Sequence, residues 1–162
     1  MALEIERKFL VISDNWQRLG TPEVVRQGYL SRDIERTVRV RIKGDKAFLT
    51  IKGRNEGAVR TEFEYAIPTD EAAVLLDTLA LKPLIEKTRT KVAYASKIWE
   101  IDRFFGENEG LVLAEVELAS ENETVQLPPW IGQEVTHLTR YYNSALSERP
   151  YCEWTEEEKA GL

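Results

Sequence analysis

The chain is dominated by a period of two. Glu4-Ile5-Glu6-Arg7-Lys8-Phe9, Val38-Arg39-Val40-Arg41-Ile42-Lys43, Thr50-Ile51-Lys52, Glu62-Phe63-Glu64-Tyr65, Trp99-Glu100-Ile101-Asp102 and Glu115-Val116-Glu117-Leu118 alternate charged or polar with mostly apolar side chains. Lys87-Thr88-Arg89-Thr90-Lys91-Val92 keeps the alternation with threonines on its second face. Successive side chains of a strand point to opposite faces of its sheet, so each run predicts a strand. Val24 to Leu30 predicts one more. Gly44-Asp45 suits a tight hairpin, while Arg54 to Gly57 and Gly106 to Gly110 suit longer ones. A largely antiparallel sheet of about eight strands follows.

Helices are the minority. Thr69 or Asp70 can cap a helix running through Leu79, with Ala73, Leu75, Leu76 and Leu79 as its apolar stripe. Asn15 to Leu19 predicts a short helix before Gly20-Thr21-Pro22, and Thr136 to Leu146 a further helix. The Glu-rich tail after Pro150 is expected to fray or dock weakly. Trp16, Trp99, Trp130 and Trp154 are expected to cover the outside of the sheet. The fold class is therefore α+β, in one domain over residues 1–162, with a core of about 2–148 and an acidic tail of about 150–162.

Composition agrees. The 162 residues are 43% apolar, enough to fill a core, and the single cysteine, Cys152, excludes an internal disulfide framework or a Cys-rich zinc site. The N-terminal MALEIERKF is charged from its fourth residue, unlike a secretory signal. The longest mostly apolar run, Glu71 to Leu84, is broken by Asp77 and Lys82 and is far shorter than a membrane span of ~20 residues. A cytoplasmic protein that avoids membranes is expected.

Charge changes the picture. The net charge of −6 argues against a general nucleic-acid binder. Yet residues 26–60 hold ten bases (Arg26, Arg32, Arg36, Arg39, Arg41, Lys43, Lys46, Lys52, Arg54 and Arg60) against four acids (Asp33, Glu35, Asp45 and Glu56). A basic block in an acidic protein points to an anionic ligand met at one place. The polar face of the strands is also sorted by sign. Acids pair at Glu4/Glu6, Glu62/Glu64, Glu100/Asp102 and Glu115/Glu117; bases pair at Arg39/Arg41 and Lys87/Arg89. Same-sign neighbours ~6.6 Å apart on one face repel unless compensated. Divalent cations compensate acids and polyanions compensate bases. Either the ionic face is solvated, or the sheet closes into a barrel with that face inside and helices or a second subunit outside.

Glu4-Ile5-Glu6-Arg7-Lys8 matches an E-x-E-x-K motif. With Thr37-Val38-Arg39-Val40-Arg41, Leu49-Thr50-Ile51-Lys52-Gly53, Arg60-Thr61-Glu62-Phe63-Glu64, Glu86-Lys87-Thr88-Arg89, Trp99-Glu100-Ile101-Asp102 and Ala114-Glu115-Val116-Glu117-Leu118 following in order, the chain resembles the CYTH superfamily, the triphosphate tunnel metalloenzymes. The resemblance runs from about residue 2 to residue 148. It is greatest to the small bacterial inorganic triphosphatases. It implies an eight-stranded antiparallel closed barrel, a tunnel with a charged interior and helices outside. It also implies Mg²⁺ or Mn²⁺ as cofactor, held by Glu4, Glu6, Asp102, Glu115 and Glu117. Lys8, Arg39, Arg41, Lys52, Lys87 and Arg89 would hold the phosphates and serve catalysis, with Glu62 and Glu64 on the same face orienting bases or binding a second metal.

The implied reaction is hydrolysis of tripolyphosphate to pyrophosphate and phosphate by water. No Ser-His-Asp or Cys-His set offers a covalent route, and no G-x-x-x-x-G-K-[ST] run offers a P-loop. The alternatives are a thiamine or nucleoside triphosphatase, a class IV-type adenylate cyclase, or a non-catalytic polyphosphate-binding module. The paired acids speak against the last. The expected partner is a small triphosphate, not nucleic acid, and a homodimer is open. Bland readings suit the lone His137 and Cys152. Tyr29 suits core packing at least as well as ligand contact, Arg140 ligand contact or helix locking. Lys43 and Lys91 lie towards strand ends and suit solvation.

Overall fold

A computed structural model describes residues 2–162, apart from the side chain of Ala2. Nine strands form: β1 (Ala2–Val11), β2 (Pro22–Ser31), β3 (Arg36–Lys43), β4 (Lys46–Gly53), β5 (Val59–Ile67), β6 (Ile85–Tyr94), β7 (Lys97–Phe104), β8 (Val112–Glu117) and β9 (Ile131–Glu134). Eight of them pair antiparallel in the order β5-β4-β3-β2-β6-β7-β8-β1, and β1 returns to β5 to close the ring. The first strand does the closing by dividing its length. Ala2 to Ile5 pairs with β5, while Glu6 to Leu10 pairs with β8 on the other side. The ninth strand, which the pattern did not predict, joins β1 beyond the closure at Phe9 and Val11.

Closure fixes what the alternation means. Val40 and Ala47 face outward and meet α1 (Thr69–Thr78) through Ala72, Leu76 and Ala80. Leu75 and Leu76 of the expected stripe pack here, Ala72 is buried in place of Ala73, and Leu79 is left 66% exposed at the helix end. The helix and the segment after it lie so close to β2 that a methyl on Gly28 would meet Leu84 at 2.6 Å, Ala80 at 3.0 Å and Leu76 of α1 at 3.2 Å. A second outer cluster joins Phe9, Trp16, Trp99, Val116 and Trp130, with Trp99 edge-on to Trp130 at 5.9 Å. These two core clusters therefore lie outside the barrel wall. The outer face of β5 is less covered, with Phe63 38% and Tyr65 54% exposed.

The C-terminal segment departs from expectation. Thr136 to Leu146 is not one helix. It gives a 3₁₀ turn at Thr139–Tyr141 and a short α2 (Asn143–Leu146), with extended backbone at Leu138 and Tyr142 between and before them. Hydrogen bonds to the barrel override helical propensity here: the Lys8 amide donates to Thr136 Oγ1, and Lys8 Nζ donates to the Tyr141 carbonyl. Nor does the tail fray. Thr155 caps α3 (Glu156–Lys159) through a capping box, and Arg149 pairs with Glu158 at 2.6 Å. Trp154 packs edge-on against Tyr141 rather than on the outer wall. With Leu146 and Tyr141 it closes on Leu10, Ile85, Phe104 and Leu113. Those four share the inward parity of Lys8, Lys87, Asp102 and Glu115, so the segment plugs one end of the barrel with apolar side chains.

Two tight turns illustrate how the hairpins form. Gly44 supplies a φ of +60° between β3 and β4, as the sequence predicts. Between β6 and β7 the turn uses Ala95 and Ser96 at φ +48° and +68°, positions that favour Asn-Gly. The left-handed conformation strains ordinary L-residues. Replacing Ala95→Asn together with Ser96→Gly should therefore stabilise the protein by ~1 kcal/mol, a rise of ~2–4 °C in a thermal melt.

Candidate active site

The inward positions enclose a cavity of about 460 Å³. Every site residue expected from the sequence lines it except Asp102, which lies beneath its surface and is 1% exposed. The ring order sorts the charges into two walls. On β4, β3 and β6 stand Lys52, Arg39, Arg41, Lys87 and Arg89, with neutral Gln27 and Tyr29 of β2 among them. On β7, β8, β1 and β5 stand Glu100, Glu115, Glu117, Glu4, Glu6, Glu62 and Glu64. Lys8 and Arg60 are basic exceptions on the acidic side, and Lys8 is placed directly across from Glu115 in the β1–β8 register.

Some of these bases are already engaged. Lys52 Nζ lies 3.0 and 3.1 Å from the Glu4 carboxylate oxygens. Arg89 donates to both oxygens of Asp102 at 2.7 and 2.8 Å, and Lys87 donates to one of them at 2.7 Å. Burial alone would raise the Asp102 pKa, but Arg89 and Lys87 outweigh it and hold the carboxyl far below its ordinary value. Asp102 thus spends its oxygens on two bases and offers none to the cavity.

Arg39 and Arg41 are less committed. Arg39 bonds Thr50 Oγ1 at 3.2 Å and its Nε is buried without a partner. Arg41 is bonded only through Nε, to Gln27 Oε1 at 2.9 Å. Burial, with Arg39 and Arg89 nearby, pushes the Arg41 pKa down to about 9. The basic wall carries more positive charge than its neighbours neutralise, which is the electrostatic signature of an anion site.

The acids show the mirror condition. Burial, a hydrogen bond to Glu4 and its charge raise the Glu62 pKa to about 7. Burial works in the same direction on Glu4, yet Lys52 and the bond from Glu62 hold Glu4 at about 2. Burial and the Glu115 charge push Glu6 well up. Burial would raise Glu115 too, but Lys8 and Arg89 lower it to about 2. The carboxyl groups accordingly share protons two by two, an arrangement that a divalent cation would replace. Among the described residues no three acidic, histidine or cysteine side chains converge as a ready-made cage.

A family model for the CYTH domain matches residues 2–151. The chain belongs to the CYTH family. An inorganic triphosphatase of Acetivibrio thermocellus is 47% identical over 96% of this chain and 100% of its own length. An inorganic triphosphatase of Nitrosomonas europaea is 36% identical over 89% and 96%. A crystal structure of an inorganic triphosphatase, 34% identical, covers 91% of this chain and 95% of its own at a TM-score of 0.65. The closed barrel is thus the CYTH tunnel, here with a floor.

Several lining residues of this CYTH tunnel carry no period-two warning of their role. Thr136, Tyr142, Asn143 and Ser144 arrive from the C-terminal segment. Arg60 does carry it, sharing the parity of Glu62 and Glu64 on β5, while Gln27 is fully buried and stands outside the cavity lining. The Tyr142 ring sits 5.4 Å from Lys8 Nζ and 6.0 Å from the Arg60 guanidinium. Tyr29 and Lys43 line the cavity, whereas Lys91 and His137 are exposed and do not. Arg140 donates to the Glu158 and Leu162 carbonyls, so it locks the tail. Among the described residues no helix is long and apolar enough to cross a membrane.

Removing one member of a buried ion cluster leaves the others uncompensated. Asp102→Ala should cost ~3–5 kcal/mol in urea denaturation. Glu100→Ala, whose carboxylate meets Arg89 only at 3.4 Å from a partly open position, should cost well under half of that.

Proposed function

We propose that this CYTH protein hydrolyses inorganic triphosphate to pyrophosphate and orthophosphate, as a soluble cytoplasmic enzyme using Mg²⁺ or Mn²⁺. The observation that carries the reading is the two-walled cavity. A linear polyanion lying along it meets Arg39, Arg41, Lys87 and Arg89 on one side, while Glu4, Glu6, Glu115 and Glu117 face it from the other. Both relatives, aligned over 96% and 89% of this chain, bear the name inorganic triphosphatase, which supports the same substrate. The lining is almost entirely charged or polar. Its two tyrosines are Tyr29, buried in the wall, and Tyr142, already set against two cations, so no open aromatic face awaits a base or thiazole ring.

The residues divide the work by charge. The arginines and Lys87 neutralise phosphoryl oxygens and fix the anion in line. Asp102 positions Lys87 and Arg89 rather than holding metal, since its two oxygens already serve those bases. Glu4, Glu6, Glu115 and Glu117 are the carboxylates left to hold a divalent ion. The chemistry such an ion supplies is neutralisation of charge that develops on the phosphoryl oxygens. A water oriented by the acidic wall attacks the terminal phosphorus. The new P–O bond forms as the bridging P–O bond breaks, pyrophosphate leaves with the bridging oxygen, and the proton of the water is lost to a wall carboxylate or solvent.

Phosphate release should be compared for tripolyphosphate, pyrophosphate, ATP and thiamine triphosphate with Mg²⁺, Mn²⁺ or Ca²⁺, with cyclic AMP assayed alongside. Tripolyphosphate should turn over fastest, and chelator should abolish the reaction. Faster cyclisation of ATP would replace this reading with a cyclase.

Strand parity supplies a second test. Arg39→Ala and Arg41→Ala should each cut tripolyphosphate turnover at least ~100-fold while leaving the melting temperature level or higher. Val40→Ala, one residue out of phase and fully buried against α1, should do the reverse, losing ~1–3 kcal/mol of stability with turnover retained. Silent arginines would remove the tunnel as the site.

A further inference from the structure

Gln27 is an amide seated wholly within the basic wall, and it is 0% exposed. Its Oε1 accepts from Arg41 Nε at 2.9 Å, and its Nε2 donates to Asn143 Oδ1 at 2.9 Å. Asn143 Oδ1 also accepts from Lys87 Nζ at 3.0 Å. The direction of this chain is forced. Arg41 and Lys87 can only donate, so each must meet an oxygen. Gln27 must then turn its Nε2 away from Arg41, and Asn143 must present Oδ1 to both donors. Two consequences follow for the cavity. Arg41 is gripped at Nε alone and forms no ion pair among the described residues, so its two terminal nitrogens are left for an anion. Asn143, with its oxygen used twice, is left with Nδ2 as a donor, and the residue lines the cavity.

We propose that Gln27 and Asn143 form a neutral clamp, a pair of positioning residues that orients Arg41 and Lys87 towards the substrate without cancelling their charge. The inference rests on the triphosphatase reading and goes beyond it, since it explains why amides stand where acids would hold the same bases more firmly. The wall already contains the acidic solution: Asp102 binds Arg89 and Lys87 directly, and Glu4 binds Lys52. Those bases spend part of their field inside the protein. Arg41 does not. An amide at 27 supplies the acceptor that the guanidinium Nε requires in a buried setting, and leaves the positive field intact for phosphoryl oxygens. The clamp also ties α2 of the plug to β2, β3 and β6, so the floor of the tunnel and the grip on the anion are set by the same four side chains.

The test separates charge from packing. Gln27→Glu and Asn143→Asp keep size and acceptor oxygens but add a carboxylate that neutralises Arg41 or Lys87. Calorimetric titration with tripolyphosphate in chelator reads the basic wall without any turnover. Each variant should bind about tenfold or more weakly than the parent while its melting temperature stays level or rises. A role in packing alone predicts instead a lower melting temperature with affinity unchanged in the folded fraction. If Gln27→Glu does not fold, Asn143→Asp decides alone. Affinity equal to the parent, or loss that only tracks a falling melting temperature, overturns the clamp. A parent that does not bind tripolyphosphate at all overturns the triphosphatase reading and the clamp together, whereas binding parent and equally binding variants overturn the clamp alone.

Discussion

Arg39 and Arg41 stand two residues apart on β3, with Lys87 and Arg89 on β6 one strand beyond β2, and only Asp102 meets any of these four with a tight, fully buried ion pair. Holding so much like charge in one enclosed space is the constraint to which the rest of the molecule answers. An enclosed ionic face cannot also be a hydrophobic core. The apolar side chains are therefore driven to the outer surface, where a barrel alone would leave them in water. The helix α1 over β3 and β4, and Trp16 and Trp130 packed on Phe9 and Trp99, are the cover that makes such an inversion stable. Removing cover would expose apolar wall; removing charge would make the cover's purpose disappear.

Ring order also decides what the charges can do. If acids and bases alternated strand by strand, each would satisfy its neighbour and the cavity would be neutral and inert. Instead β2, with Gln27 and Tyr29, separates two basic strands, and β8, β1 and β5 set three acidic strands side by side. Burial, reinforced by the like charges beside them, raises the pKa of Glu62 and Glu6 on the acidic wall and depresses that of Arg41 on the basic one.

Much of this was legible before any coordinates. The parity of Arg39/Arg41, Lys87/Arg89 and Glu115/Glu117 marked the inner face, because a strand cannot place neighbours two apart on different sides. The tight turn at Gly44 was equally readable. What escaped is what parity does not govern. Ala95-Ser96 makes a hairpin turn without turn residues, and β9 forms because the backbone of β1 has a free edge beyond its closure with β5. The segment from Thr136 to Leu146 has helical composition, but Lys8 and Lys87 claim its carbonyl and amide oxygens, and local propensity yields to those contacts. Asn143 reaches the site by that route, and no spacing in the sequence announces it. Asp102 had the right parity, yet only the distances reveal that two bases consume it.

The apolar floor built from Leu10, Ile85, Phe104 and Leu113 under Tyr141, Leu146 and Trp154 has a consequence for traffic. Phe104 lies 5.4 Å from Lys87 Nζ, and the plug is bonded to Lys8 through the Tyr141 carbonyl, so the deepest cations sit on the stopper itself. A cavity stoppered on that side by apolar side chains gives a chain of phosphates no polar path past Lys8 and Lys87, so those two cations set how far inward a linear anion can extend.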